Sequence, residues 1–159
     1  MSESDEVLAK IRNSVKGRIL LVGRRIGQQK FDVLGATLRA EANPQKYVTG
    51  GNVIPWKAGL LREFAAGDFD SIVLHRFLYK RVKDYVEDPL TVLSEAKRIL
   101  PEGGVLVVNS FLFDDATRNF RSANAFFTEE DMGRMLRNEG FRKVSPVHAG
   151  NTHIFVCEK

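Results

Sequence analysis

A single cysteine, Cys157, and three histidines stand in a chain of 159 residues. One thiol excludes an internal disulfide framework and a zinc site built on several cysteines, so nothing points to an oxidising compartment. His148 and His153 have no carboxylate or cysteine at ligand spacing in the sequence, and no metal is expected there. Long apolar runs are missing as well: none approaches the roughly 20 residues that span a bilayer. The opening MSESDEVLAK is polar and acidic where a secretory leader is basic and then apolar. The expectation is a cytoplasmic protein with no membrane contact. Apolar residues make up 43% of the chain and charged ones 28%. That is enough for one compact domain over residues 1–159, without repeats or low-complexity tracts.

The net charge is +4, and the excess of base is uneven. Residues 16–46 carry Lys16, Arg18, Arg24, Arg25, Lys30, Arg39 and Lys46 against only Asp32 and Glu41. A basic stretch of this size either attracts phosphates and acidic partners or forms a solvated face.

Val7, Leu8, Ile11 and Val15 lie on one helical stripe, which predicts an N-terminal helix within residues 1–17, capped by Ser4 and stopped by Gly17. Arg18 to Val22 reads as a strand buried on both faces. A helix is expected from about Gln28 to Ala40, with Phe31, Leu34 and Leu38 on one side, ending before Asn43-Pro44. Tyr47-Val48 is a candidate strand, Gly50-Gly51 a turn, and Leu60 to Phe64 a short helix. Phe69 to Leu74 is a second buried run. Asp88-Pro89 then caps a helix whose Leu90, Leu93, Ala96 and Leu100 share a face as far as Pro101. Val105 to Val108 is a third buried strand. Phe127-Thr128-Glu-Glu-Asp is an apolar staple, a cap and an acidic first turn for a helix that Gly140 stops. Two final strands, 141–147 and 153–157, flank a short loop that suits an antiparallel pair. This alternation implies an α/β protein: a mostly parallel sheet, helices on both faces, and a C-terminal antiparallel hairpin.

The succession Phe69-Asp70-Ser-Ile-Val-Leu74, Glu87-Asp-Pro89, and Glu95-Ala-Lys-Arg-Ile-Leu-Pro-Glu-Gly-Gly-Val-Leu-Val-Val108 resembles the FDxVxL, DP and EAxRVLKPGGxLxx series of class I S-adenosylmethionine-dependent methyltransferases of the type 11 branch. Phe127-Thr-Glu-Glu followed by Glu139-Gly-Phe141 is similar to that family's closing helix. The resemblance covers roughly the last ninety residues and implies a seven-stranded Rossmann-like sheet. It also implies a cofactor loop after the first strand, where Gly23 and Gly27 match the outer glycines of the family's GxGxG.

That loop reads Leu21-Val22-Gly23-Arg24-Arg25-Ile26-Gly27. The family's acid is replaced by Leu21 and its middle glycine by Arg25, a side chain expected to fill or screen the pocket. Its second acid, which bonds the cofactor ribose at the end of the second strand, has no evident counterpart, since residues 46–55 contain no Asp or Glu. The span from Val22 to Phe69 is short for two full strand–helix units. No cofactor is therefore expected, or S-adenosylmethionine held by Gly23 and Gly27 if the protein is active.

Arg24, Arg25 and Lys30 sit where a strand passes into a helix, a place suited to anions, though solvated loop residues are the plainer reading. His75 and Arg76 follow a strand at the carboxyl edge, where His75 is either a general base toward substrate or an ordinary loop residue. Asn109 ends the next strand. Arg118 and Arg121 lie among aromatics where relatives carry a substrate lid, a mixture that stacks on nucleic-acid bases or anchors a core or dimer contact. Three functions stay open: a non-catalytic module binding a protein partner or a second copy, an active methyltransferase with an atypical pocket, and a phosphate or nucleic-acid binder using residues 16–46.

Overall fold

The computed structural model describes residues 3–47, 51–80, 86–109, 127–150 and 152–159. Strands β1 (Ile19–Gly23), β2 (Leu38–Glu41), β3 (Val53–Pro55), β4 (Ser71–His75), β5 (Val105–Asn109), β6 (Arg142–Ala149) and β7 (Thr152–Glu158) form one sheet in the order β3-β2-β1-β4-β5-β7-β6. The first five run parallel, and β6 and β7 close the far edge as an antiparallel pair. Strands β1, β4 and β5 are buried along their whole length, as unbroken apolar runs between two helical layers should be.

One face is covered by α1 (Glu3–Ser14), through Val7, Leu8 and Ile11, and by a 3₁₀ segment, η1 (Gln29–Leu34), through Phe31 and Leu34. The other is covered by α3 (Pro89–Ile99) and α4 (Glu129–Asn138), whose Val92, Leu93, Ala96, Met132 and Leu136 are fully buried. Their caps are the ones the sequence announces. Asp88 accepts the Thr91 amide at 3.1 Å ahead of Pro89, and Thr128 accepts the Asp131 amide at 3.0 Å. Gly140, at φ 94°, ends α4, and buried Phe141 donates its amide to the Leu136 carbonyl at 3.2 Å.

The crossovers before β4 depart from expectation. The helix anticipated over 28–40 is instead η1, a left-handed Gly35 at φ 63°, and strand β2, so Leu38 pairs beside Leu20 of β1 rather than continuing a helical face. Pro44 begins a one-turn helix, α2 (Pro44–Tyr47), rather than only breaking one. Tyr47 thus ends a helical turn and is not in a strand; Val48 lies outside the described residues. The segment near Leu60 is the 3₁₀ turn η2 (Leu60–Glu63), and α1 starts at Glu3, one residue before the expected Ser4 cap. The short interval before β4 therefore holds two strands, β2 and β3, neither where expected, and their connections are a 3₁₀ segment and one helical turn.

Candidate site at the carboxyl edge of the sheet

The register places Glu41, Gly23, His75, Asn109 and Ile154 in one row across the carboxyl ends of β2, β1, β4 and β5 and onto β7. Ligands of open α/β sheets gather at this edge. Here the row is filled by the chain itself. Glu41 is fully buried, and its carboxylate accepts the amides of Arg25 at 2.9 Å, Gly27 at 3.0 Å and Asn43 at 2.9 Å. Amides of a loop leading out of a strand are what an incoming anion or cofactor would use. Charge-assisted bonds of this kind are roughly twice as strong as neutral ones.

The expected absence of an acid at the end of the second strand is thus corrected: Glu41 stands there. The sequence hides it because Leu38 to Glu41 continues the apparent helical spacing. The clue was an acid directly before the Ala42-Asn43-Pro44 turn.

Gly23 is required for a packing reason. A Cβ at this position would lie 2.0 Å from the His75 carbonyl oxygen, and the Arg24 amide donates to that same oxygen at 3.2 Å. The space above Gly23 is therefore taken by the main chain of β4. The side chain of Arg25, expected to fill the pocket, is exposed instead. Its backbone holds φ 61°, the left-handed conformation natural to glycine, and Arg76 holds φ 52°. An L-residue there costs about 1–2 kcal/mol. Two of the three such non-glycine positions among the described residues lie at this one edge; the third, Lys143, is in β6.

His75 is the last residue of β4 and not a loop residue; it is 8% exposed. The Asn109 side-chain amide lies 2.9 Å from its Nδ1 and donates to it, which fits a neutral imidazole protonated at Nε2. The edge of Phe31 packs on the ring, with centroids 5.0 Å apart. Burial, then the charges of Arg76 and Lys30, push the His75 pKa down to about 3. Such a group is a poor general base near neutrality.

Arg76 is also held below its ordinary value, by burial and by the neighbouring charge of Arg25, with Tyr79 acting in the opposite sense. The Arg24 guanidinium sits 4.9 Å from the centre of the Tyr79 ring, and the Lys30 ammonium 5.5 Å from that of Phe31. Arg24, Arg25, Lys30 and Arg76 thus converge on the edge that holds His75 and Asn109. Arg118 and Arg121 lie outside the described residues.

Beside the loop, toward β3, a cavity of about 340 Å³ lies among Gly27, Gln28, Asp32, Arg39 and Asn52. The buried Arg39 crosses it to pair with Asp32 and to donate to the Ile26 and Gln28 carbonyls.

No protein-family model and no curated protein sequence matches the chain. Solved structures match over nearly its whole length. A SAM-dependent methyltransferase from Archaeoglobus fulgidus aligns with a TM-score of 0.70 at 15% identity, over 99% of this chain and 95% of that one. Another from Thermotoga maritima aligns at 0.68 and 18% identity, over 99% and 89%. The fold is that of the class I methyltransferases. Activity does not travel with this fold, because the [4+2]-cyclase SpnF aligns at 0.66 and 13% identity over 98% of this chain and 80% of its own. In the methyltransferase fold as this chain builds it, the row from Glu41 to Asn109 is bonded side to side. Among the described residues no helix is long and apolar enough to cross a membrane.

Proposed function

We propose that this protein keeps the methyltransferase fold with an eroded S-adenosylmethionine site and serves as a non-catalytic module that binds a protein partner or a second copy of itself. One observation carries the reading: Glu41, the acid that would meet the cofactor ribose, spends its carboxylate on the amides of Arg25 and Gly27. Cofactor binding would have to break those bonds and leave buried groups to find new partners, at about 1–3 kcal/mol for each one left unpaired. Leu21 in place of the first acid and the His75 carbonyl over Gly23 weigh in the same direction. The weak basicity of His75 removes the nearest candidate for proton abstraction. Calorimetric titration with S-adenosylmethionine and S-adenosylhomocysteine at millimolar ligand tests this reading. The expected result is no saturable heat; saturable binding of either would favour an active methyltransferase with an atypical pocket.

A second reading rests on the basic edge formed by Arg24, Arg25, Lys30 and Arg76, where burial first and the neighbouring charge of Arg25 last hold Arg76 below its ordinary pKa. Phosphate or a nucleic-acid backbone would relieve that repulsion. Binding of this kind falls steeply with salt and weakens when Arg24 and Arg25 are changed to Ala. Binding that ignores salt would eliminate it.

A further inference from the structure

We propose that Glu129, His148 and His153 form a binding site for a divalent transition-metal ion, for which zinc is the probe. The two histidines are a cross-strand pair at the β6–β7 turn, and Glu129 is the first residue of α4. His148 Nε2 lies 3.5 Å from one carboxylate oxygen of Glu129 and His153 Nδ1 3.1 Å from the other. All the ligand atoms fall within 4.8 Å of one another. Zinc bound tetrahedrally at its usual N and O distances holds neighbouring ligand atoms about 3.3 Å apart. The observed separations bracket that value.

Two further features distinguish this cluster from a chance ion pair. The imidazoles stack with centroids 4.3 Å apart and planes 24° from parallel, so both rings turn their edges the same way. His153 Nδ1 is shielded from solvent and, despite the 3.1 Å approach, makes no hydrogen bond of acceptable geometry to the carboxylate. The orientation, and not the distance, suits two ligands of one ion better than a donor and its acceptor. The scaffold is rigid on each side, since Thr128 caps α4 and β7 is paired with both β5 and β6. Sequence spacing does not reveal the site because Glu129 arrives from a separate element.

His153 lies one residue beyond the row of Gly23, His75 and Asn109, at the same carboxyl edge. It lies on the sheet face covered by α4, whereas His75 lies beneath η1. Three protein ligands leave at least one coordination position open, the arrangement in which zinc binds a water or a ligand from outside. The site does not depend on the reading of the cofactor loop.

The test is zinc titration of tag-free protein in competition with a chromogenic chelator, supported by cobalt(II) absorption, whose visible bands report tetrahedral coordination. The expected result is one ion per chain and tetrahedral cobalt bands. Glu129→Gln or His148→Ala should each weaken binding by more than the roughly 10–100-fold that loss of an outer-sphere partner costs. The double variant His148→Ala/His153→Ala retains only the buried His75 and should lose the site entirely. His148 is exposed, so its variant should keep the fold, which circular dichroism checks. No binding by the unmodified protein at micromolar zinc, or binding that survives the double variant, would overturn the proposal.

Discussion

The two ends of the sheet are built on different principles. From β4 to β6 the connections are helices of 11 and 10 residues with capped ends, and the core beneath them is apolar. From β1 to β3 the connections shrink to a 3₁₀ segment and one helical turn. There, buried charge does the joining: Glu41 binds the loop amides and Arg39 ties η1 to β2. Parallel pairing and these polar bonds carry the topology where the connecting helices are short. The end where the family resemblance implies a cofactor loop is the one held by internal polar bonds.

The largest expected effect tests that division at its polar end. Glu41→Ala leaves three loop amides without their acceptor and should cost about 4 kcal/mol in denaturant-induced unfolding. A loss under about 1 kcal/mol would mean the carboxylate is not what holds the loop. At the apolar end, Leu93→Ala should cost about 3 kcal/mol by emptying packed volume, without altering the loop.

The third test uses pH. His75 has a pKa of about 3 in the folded protein, against an ordinary 6.5. Below 6.5 the unfolded chain takes up a proton that the folded one refuses. The contribution is full above 6.5 and is lost as pH falls toward 3. At pH 5 the loss should be about 2 kcal/mol. His75→Gln should flatten that part of the stability profile, and an unchanged slope would place the titration elsewhere.

Smaller effects separate backbone from side chain. Arg25→Gly should stabilise by about 1 kcal/mol, because glycine adopts φ 61° without strain. Thr128→Ala should cost about 1 kcal/mol through its lost cap bond. A destabilising Arg25→Gly would show that the side chain, and not the conformation, is what the site retains.

This contrast also governs what could be read from the residues alone. Asp88-Pro89, Thr128 and Gly140 are local signals whose partners lie within a few residues, and the helices they delimit stand where expected. Phe31, Leu34 and Leu38 share helical spacing, yet Leu38 belongs to a four-residue strand whose identity depends on pairing with β1, a tertiary effect that spacing cannot carry. The helical spacing of that strand hides Glu41, and with it the means by which the loop is held. Gly23, His75, Arg76 and Asn109 each end or follow a buried run, and strand pairing brings those ends to one edge. What they touch was not legible: the His75 carbonyl over Gly23 and the Asn109 amide on His75 come from register. Glu129 meets His148 and His153 only once the hairpin has packed beneath α4.

The most direct measurement follows the backbone amides of Arg25 and Gly27 by NMR while S-adenosylmethionine is added to millimolar concentration. With Glu41 already holding both groups, their shifts and their protection from hydrogen exchange should stay unchanged. A saturable shift of these two amides would contradict the account, because it would mean that the cofactor displaces Glu41 and that the loop still does the work of its fold.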